Sequence, residues 1–119
     1  MNTRVKRLFR SFGYAWQGIR HVIKTEQNMQ IHVLVSVLVL GASIYFQISY
    51  FEWITIMVLI AGMWSLELLN TAIEKTVDLV TEEHHPLAKV AKDAAAGAVL
   101  VYAVASVIIG CIVFLKYIF

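Results

Sequence analysis

Two hydrophobic patterns divide the chain. Between residues 5 and 23 apolar residues recur at helical spacing, and from residue 27 onward they form long, almost unbroken runs. In the first stretch Val5, Leu8, Phe9, Phe12, Ala15, Trp16, Ile19, Val22 and Ile23 follow an i, i+3, i+4, i+7 rhythm. Lys6, Arg7, Arg10, Gln17, His21 and Lys24 fall on the opposite side. This spacing predicts an amphipathic helix over 3–24, weakened slightly by Gly13 and Gly18. A basic amphipathic helix of this kind lies in a membrane interface. A helix packed on the protein's own loop would show the same spacing, but the chain has little polar bulk to receive one. No compact apolar core follows the basic residues, so the stretch does not read as a secretory signal.

The later runs are long enough to cross a bilayer. Gln27–Phe51 is 25 residues without Asp, Glu, Lys or Arg, and Ala94–Leu115 is 22. A spanning helix needs roughly 20 apolar residues. Trp53–Leu66 is only 14 residues, and it reaches spanning length only if it continues to Ile73, taking Glu67 and Asn70 with it. The pattern therefore predicts spans over about 31–50, 52–73 and 94–115, the second carrying an ionisable group. A re-entrant middle segment is the alternative. Pro86 interrupts the next connection, predicting a helical extension to about Val80, a turn over 81–86 and a restart near Leu87.

Composition agrees with this reading. Of 119 residues 60% are hydrophobic and 15% charged, against about 45–50% and 25% in ordinary globular chains. That excludes a disordered chain and argues against a soluble domain, while the lone Cys111 excludes an internal disulfide. Six of the ten basic residues (Arg4, Lys6, Arg7, Arg10, Arg20, Lys24) precede the first span, and Lys75, Lys89 and Lys92 lie between the second and third. The positive-inside rule places the N-terminus and the 74–93 connection in the cytoplasm and the C-terminus outside. The expected fold is one all-α integral membrane domain over 1–119.

The candidate chemistry sits at the inner end of this layout. Glu67, Asn70, Glu74 and Asp78 are spaced +3, +4, +4, which puts them within about 80° on one helix face. Glu67 lies roughly 21 Å along the helix from Trp53, inside the hydrocarbon, with Glu74 at its surface and Asp78 in water. Glu26 immediately precedes span 1, and Lys92 and Asp93 precede span 3. An intramembrane carboxylate is costly and marks a functional site by default. An all-oxygen cluster suits a hard cation such as Mg²⁺, completed by substrate phosphates, and Lys92 offers charge to a phosphate. Buried Glu67 is placed to act as general base toward a hydroxyl at the same depth. The set fits phosphoryl transfer, yet neither G-x-x-x-x-G-K-S/T nor G-x-G-x-x-G is present.

Plainer readings exist for several of these residues. Glu74 and Asp78 could pair with lysines in water, and Asn70 could bond across to a neighbouring helix. His32 reads as a satisfied core histidine, Cys111 as packing, and His84 and His85 at most as phosphate or nucleotide contacts. The small residues Ala91, Ala94, Ala95, Gly97 and Ala98 favour close helix approach and an oligomer. A small proton-coupled transporter using Glu67 is a further class. Against it, the carboxylates stack toward one surface and no repeat is visible.

With these residues assembled, the chain resembles the prokaryotic diacylglycerol kinase family. The likeness rests on Glu67-Leu-Leu-Asn-Thr-Ala-Ile-Glu74 with Asp78, on His84-His-Pro-Leu-Ala-Lys-Val-Ala-Lys-Asp93-Ala-Ala-Ala-Gly-Ala-Val, and on Gly13-Tyr-Ala-Trp-Gln-Gly18 with Arg20, Glu26 and the Asn28…His32 pair. The resemblance implies an ATP- and Mg²⁺-dependent lipid kinase of the bacterial cell membrane: a surface helix and three spans per subunit, in a homotrimer with sites between subunits. Its partners would be a membrane lipid and further copies of the chain, not nucleic acid. It implies Glu67 as catalytic base, Glu26 and Glu74 as metal ligands, and Tyr14, Asn70, His85, Lys92 and Asp93 at the nucleotide, with Arg7 close by. Diacylglycerol-using members carry arginine where this chain has Gln30. That position, Asn28…His32 and the His-His-Pro turn look more like the branch that phosphorylates undecaprenol, with diacylglycerol as the alternative acceptor.

Overall fold

Three short breaks, at Glu26, 47–49 and 81–85, divide the chain into helices. The computed structural model describes residues 2–119 and gives α1 (Thr3–Thr25), α2 (Gln27–Phe46), α3 (Tyr50–Val80) and α4 (Pro86–Ile118). Each break has a local cause.

Glu26 alone separates α1 from α2. Its backbone is extended (φ −103°, ψ 118°) and it serves as both the last cap of α1 and the first of α2. The final carbonyls of a helix lack intrahelical partners. Here Gln30, one turn into α2, reaches back and donates from Nε2 to the carbonyls of Ile23 (3.1 Å) and Lys24 (3.2 Å). The residue singled out as a mark of the substrate branch thus ties the corner together.

The second break shortens the first expected span, which ends at Phe46 instead of residue 50. Gln47 takes a left-handed conformation (φ 52°), and the N–H groups of Gln47 and Ile48 donate to Ile44 and Ser43. Such closure of the last turn usually uses glycine, so a glutamine there gives no sequence signal. Ser49 then opens α3 with a capping box: its Oγ accepts from the N–H of Glu52 (3.3 Å), and Glu52 Oε1 accepts from the N–H of Ser49 (3.0 Å). At the third break Pro86 occupies the first turn of α4, where a missing N–H costs nothing. His85 caps that helix, its Nδ1 accepting from the N–H of Leu87 at 3.1 Å. The end of α3 at Val80 and the restart at Pro86 follow the layout predicted from the lone proline.

α2, α3 and α4 are each long and apolar enough to cross a membrane, and both α2 and α4 pack on α3. The apolar core gathers at one end, where Ile48, Ile56 and Val113 are buried among Val39, Phe46, Trp53 and Phe114. Phe46 stacks on Tyr117 with centroids 5.8 Å apart. Glu52 pins the same end by accepting from Lys116 Nζ (2.9 Å) and from the Tyr117 hydroxyl. α1 instead projects from the three long helices. It touches α2 and α3, with Val22 buried near its end, while Phe9, Phe12 and Trp16 stay exposed.

Midway along the α3–α4 contact the Tyr102 hydroxyl donates to the carbonyl of Val58 at 2.9 Å. Gly62, one turn on, makes room for the ring. A Cβ there would stand 2.1 Å from the hydroxyl oxygen and 2.4 Å from Cζ. Gly62→Ala must therefore push Tyr102 off Val58. The expected result is a loss of about 1–3 kcal/mol from the unmade hydrogen bond, read as a lower thermal midpoint in detergent; an unchanged midpoint would show that Tyr102 does not pack there.

Candidate functional site

The polar face of α3 is graded. Glu67 is 2% exposed and Asn70 6%; Glu74 is half-buried and Asp78 exposed. Thr71 is buried beside them. The spacing that aligned four residues on one face thus also orders them from interior to surface, because α2 covers the first part of that face and α3 runs on past the α1–α2 corner toward Val80.

The interior end is oxygen-rich and under-satisfied. Glu67 Oε2, Asn70 Oδ1 and Thr71 Oγ1 are buried without hydrogen-bond partners. The Asn70 amide donates from Nδ2 to Glu74 Oε1 at 3.3 Å, which orients both side chains. The nearest basic group to Glu67 is His32 on α2, its Nε2 3.5 Å from Oε2, longer than a well-formed hydrogen bond. One turn along, Trp64 Nε1 donates to Ser36 Oγ at 2.9 Å, and Ser36 donates to the His32 carbonyl at 2.6 Å. Each unpartnered buried polar atom costs about 1–3 kcal/mol, and native proteins keep few of them. Here an unpartnered carboxylate oxygen has two more unpartnered oxygens three and four residues along the same helix.

The α1–α2 corner joins this face at its half-buried level. Lys75 Nζ lies 3.7 Å from Glu26 Oε1, bringing the corner beside the residue next to Glu74. Glu26 and Glu74 thus offer carboxylates from two separate elements. No group of three or more His, Cys, Asp or Glu capable of holding a metal occurs among the described residues. Two carboxylates fit a hard divalent cation that completes its shell with phosphate oxygens, the usual habit of Mg²⁺.

Two hollows border the cluster. A polar cleft of about 590 Å³ lies between the end of α3 and the start of α4, lined by Asp78, Thr81, His84, His85, Lys92 and Asp93. Lys92, expected to face a phosphate, is paired with Asp78 (2.5 Å), and Lys89 with Asp93. Both pairs are largely exposed and so are screened and readily exchanged. An apolar groove of about 540 Å³ runs between α2, α3 and α4, from His32 and Met63 at one end to Ile56 and Phe114 at the other.

The fold therefore aligns Glu67, Asn70 and Glu74 along one graded face, with Glu26 beside its half-buried part, and gathers Asp78, His85, Lys92 and Asp93 in the adjoining cleft. Arg7 and Tyr14 are not gathered with them. Both are exposed on α1, and Tyr14 stands about 18 Å before the Glu26 corner at 1.5 Å per residue, with Arg7 farther still. Asn28 is exposed, and Gln30 is engaged at the corner. Sequence reasoning passed over His32 as a partner of Glu67, the Ser36–Trp64 bond, Thr71 and the Lys75–Glu26 contact. A signal was present for the first two. Asn28, His32, Ser36 and Ser43 recur at +4, +4, +7 in an otherwise apolar helix, a polar stripe that must meet a partner.

A family model described as prokaryotic diacylglycerol kinase matches residues 13–114. The undecaprenol kinase of Bacillus subtilis (strain 168) is 55% identical over 111 residues, covering 93% of this chain and 90% of that protein. A diacylglycerol kinase of Synechocystis is 45% identical over 104 residues, covering 84% of this chain and 58% of that protein. The diacylglycerol kinase of Escherichia coli (strain K12) is 27% identical over 106 residues, covering 89% and 87%.

A buried, under-satisfied carboxylate is a stability liability. Glu67→Gln removes the charge with little change of shape, so the thermal midpoint in detergent should rise. A fall would mean that the carboxylate is a structural partner.

Proposed function

The chain belongs to the prokaryotic diacylglycerol kinase family and is a lipid kinase; from that premise we propose that it transfers the terminal phosphoryl group of ATP to the hydroxyl of undecaprenol, yielding undecaprenyl phosphate and ADP. The observation that carries the reading is Glu67, a buried carboxylate with an unpartnered oxygen, on the same face as Glu74 and beside the head of an apolar groove. The choice of acceptor rests on the likeness to the Bacillus undecaprenol kinase across nearly all of both chains. Diacylglycerol is the second reading, favoured by the 45% identity to the Synechocystis enzyme. Family membership leaves the transporter reading without support.

In this proposal the groove receives the apolar tail and the hydroxyl arrives at Glu67. Glu67 accepts the hydroxyl proton as the alcohol oxygen attacks the terminal phosphorus and the bond to the leaving ADP oxygen breaks. Asn70 holds Glu74 through its amide. Glu26 and Glu74 would bind Mg²⁺ together with the phosphates. Bound there, the ion would neutralise charge on the phosphate oxygens. Lys92 exchanges its exposed bond to Asp78 for a phosphate oxygen, and His85 and Asp93 meet the nucleotide across the same cleft.

The assembly belongs to the same proposal. α1 lies in the cytoplasmic membrane interface with its apolar face in lipid, and the exposure of Phe9, Phe12 and Trp16 supports this. The basic ends at the N-terminus and the 74–93 connection face the cytoplasm, the C-terminus lies outside, and the membrane is the bacterial cell membrane. Three copies form the working unit. Arg7 and Tyr14 stand far along α1 from their own corner, and in this proposal they would serve a neighbouring copy.

Radiolabelled phosphate transfer from Mg-ATP to undecaprenol and to diacylglycerol, side by side in mixed micelles, tests the acceptor. Undecaprenol should be strongly preferred, and equal or better use of diacylglycerol would overturn that choice while leaving the site intact. Glu67→Gln should lower kcat by about 100-fold or more with little change in the ATP KM, as loss of a general base does. Glu74→Gln should instead raise both the ATP KM and the Mg²⁺ concentration needed for half-maximal rate. The reverse pattern would exchange the two roles.

A further inference from the structure

We propose that His32 is a positioning residue for Glu67: its ring, steadied by the adjoining Ser36–Trp64 bond, holds the carboxylate in one orientation at the head of the apolar groove. The inference rests on the reading of Glu67 as general base.

His32 is the only ion-pair partner of Glu67 among the described residues, with Nε2 3.5 Å from Oε2. The Glu67 side chain is 3% exposed and that of His32 19%. A carboxylate so withdrawn from water depends on whatever polar neighbour it has. Neither neighbour on its own helix face bonds it: Asn70 donates to Glu74, and the Thr71 oxygen is unpartnered. Orientation of the base thus comes from across the α2–α3 contact.

That contact is locked one turn away. Trp64 precedes Glu67 by three residues on α3, and Ser36 follows His32 by four on α2. In antiparallel helices these offsets place Trp64 opposite Ser36 when Glu67 is opposite His32. The Trp64–Ser36 bond (2.9 Å) fixes that register, and Ser36 in turn donates to the backbone carbonyl of His32 itself (2.6 Å). The Ser36 bond is the ordinary back-bond of a helical serine to the carbonyl four residues earlier; it sets the hydroxyl that receives Trp64 on the turn that carries the imidazole. His32 also lines the groove, so one ring borders both the acceptor's path and the base. A contact of 3.5 Å is long, but catalytic hydrogen bonds in free enzymes commonly tighten only when substrate is bound.

Two substitutions of His32 in the full chain separate positioning from packing. His32→Leu fills the space without a donor, and His32→Gln keeps an N–H at similar reach. In the undecaprenol assay His32→Leu should lower kcat by about tenfold or more, with the ATP KM within about twofold of wild type, as misorientation of a base does. His32→Gln should retain about a third or more of the wild-type kcat. Should the leucine variant fail to fold, as judged by its elution in detergent, Trp64→Phe gives the second reading, and kcat should again fall at constant ATP KM. The proposal is overturned if His32→Leu folds and keeps kcat, or if the glutamine variant is as poor as leucine. It is overturned equally if kcat and the ATP KM worsen together, or if Trp64→Phe, standing in for a misfolded leucine variant, leaves kcat unchanged. Glu67→Gln run in parallel keeps the two ideas apart. Turnover in that variant removes the base reading, whereas an inactive Glu67→Gln beside a fully active His32→Leu removes only the role of His32.

Discussion

The polar end of this protein is organised around one carboxylate kept out of water. Glu67 is 2% exposed in a helix that must otherwise be apolar to sit in lipid. Coulombic attraction and hydrogen bonding strengthen as the local dielectric falls, but so does the cost of an unmatched charge. The surroundings answer that cost only in part. His32 approaches without closing a good hydrogen bond, and three buried oxygens go unpartnered. A fully satisfied Glu67 would be more stable. In the proposed mechanism that incomplete matching leaves one oxygen free to take the hydroxyl proton.

Stability is consequently supplied elsewhere. The densest apolar packing and the Glu52–Lys116–Tyr117 clamp lie at the opposite end, around the turn at 47–49 and the close of α4. Tyr102 against Gly62 secures the middle. The helices are thus fastened at a distance from Glu67, and the end around Asp78 is left to exposed polar contacts that can be exchanged. Lys92 and Asp78 are an example: their bond is short but exposed.

The helices were legible in the sequence because membrane hydrocarbon permits so few alternatives: uncharged runs of sufficient length can be little else. Their ends were less so. Pro86 announced the start of α4, whereas Gln47, a residue with no special liking for the left-handed region, ended α2 unannounced. On the candidate site, the +3, +4, +4 spacing recovered the α3 face and its order of burial, since both depend on one helix alone. What pattern could not supply was anything decided between helices. Lys75 turns to Glu26 and not to its neighbours on α3, Gln30 becomes a strap, and His32 faces Glu67. These depend on the rotation of α2 against α3, to which local periodicity is blind. The polar stripe on α2 marked the right face without naming what it meets.

The corner at Glu26 has one more consequence. Because a single residue joins α1 to α2, and that residue carries a carboxylate facing α3, the joint has no slack. One added or lost residue would turn the remainder of α2 by about 100° relative to α1, carrying His32 and Ser36 away from Glu67 and Trp64 while pulling Gln30 off the carbonyls it serves. This segment can change its side chains far more readily than its length, and the chain from α1 to His32 behaves as a ruler whose graduations cannot be moved.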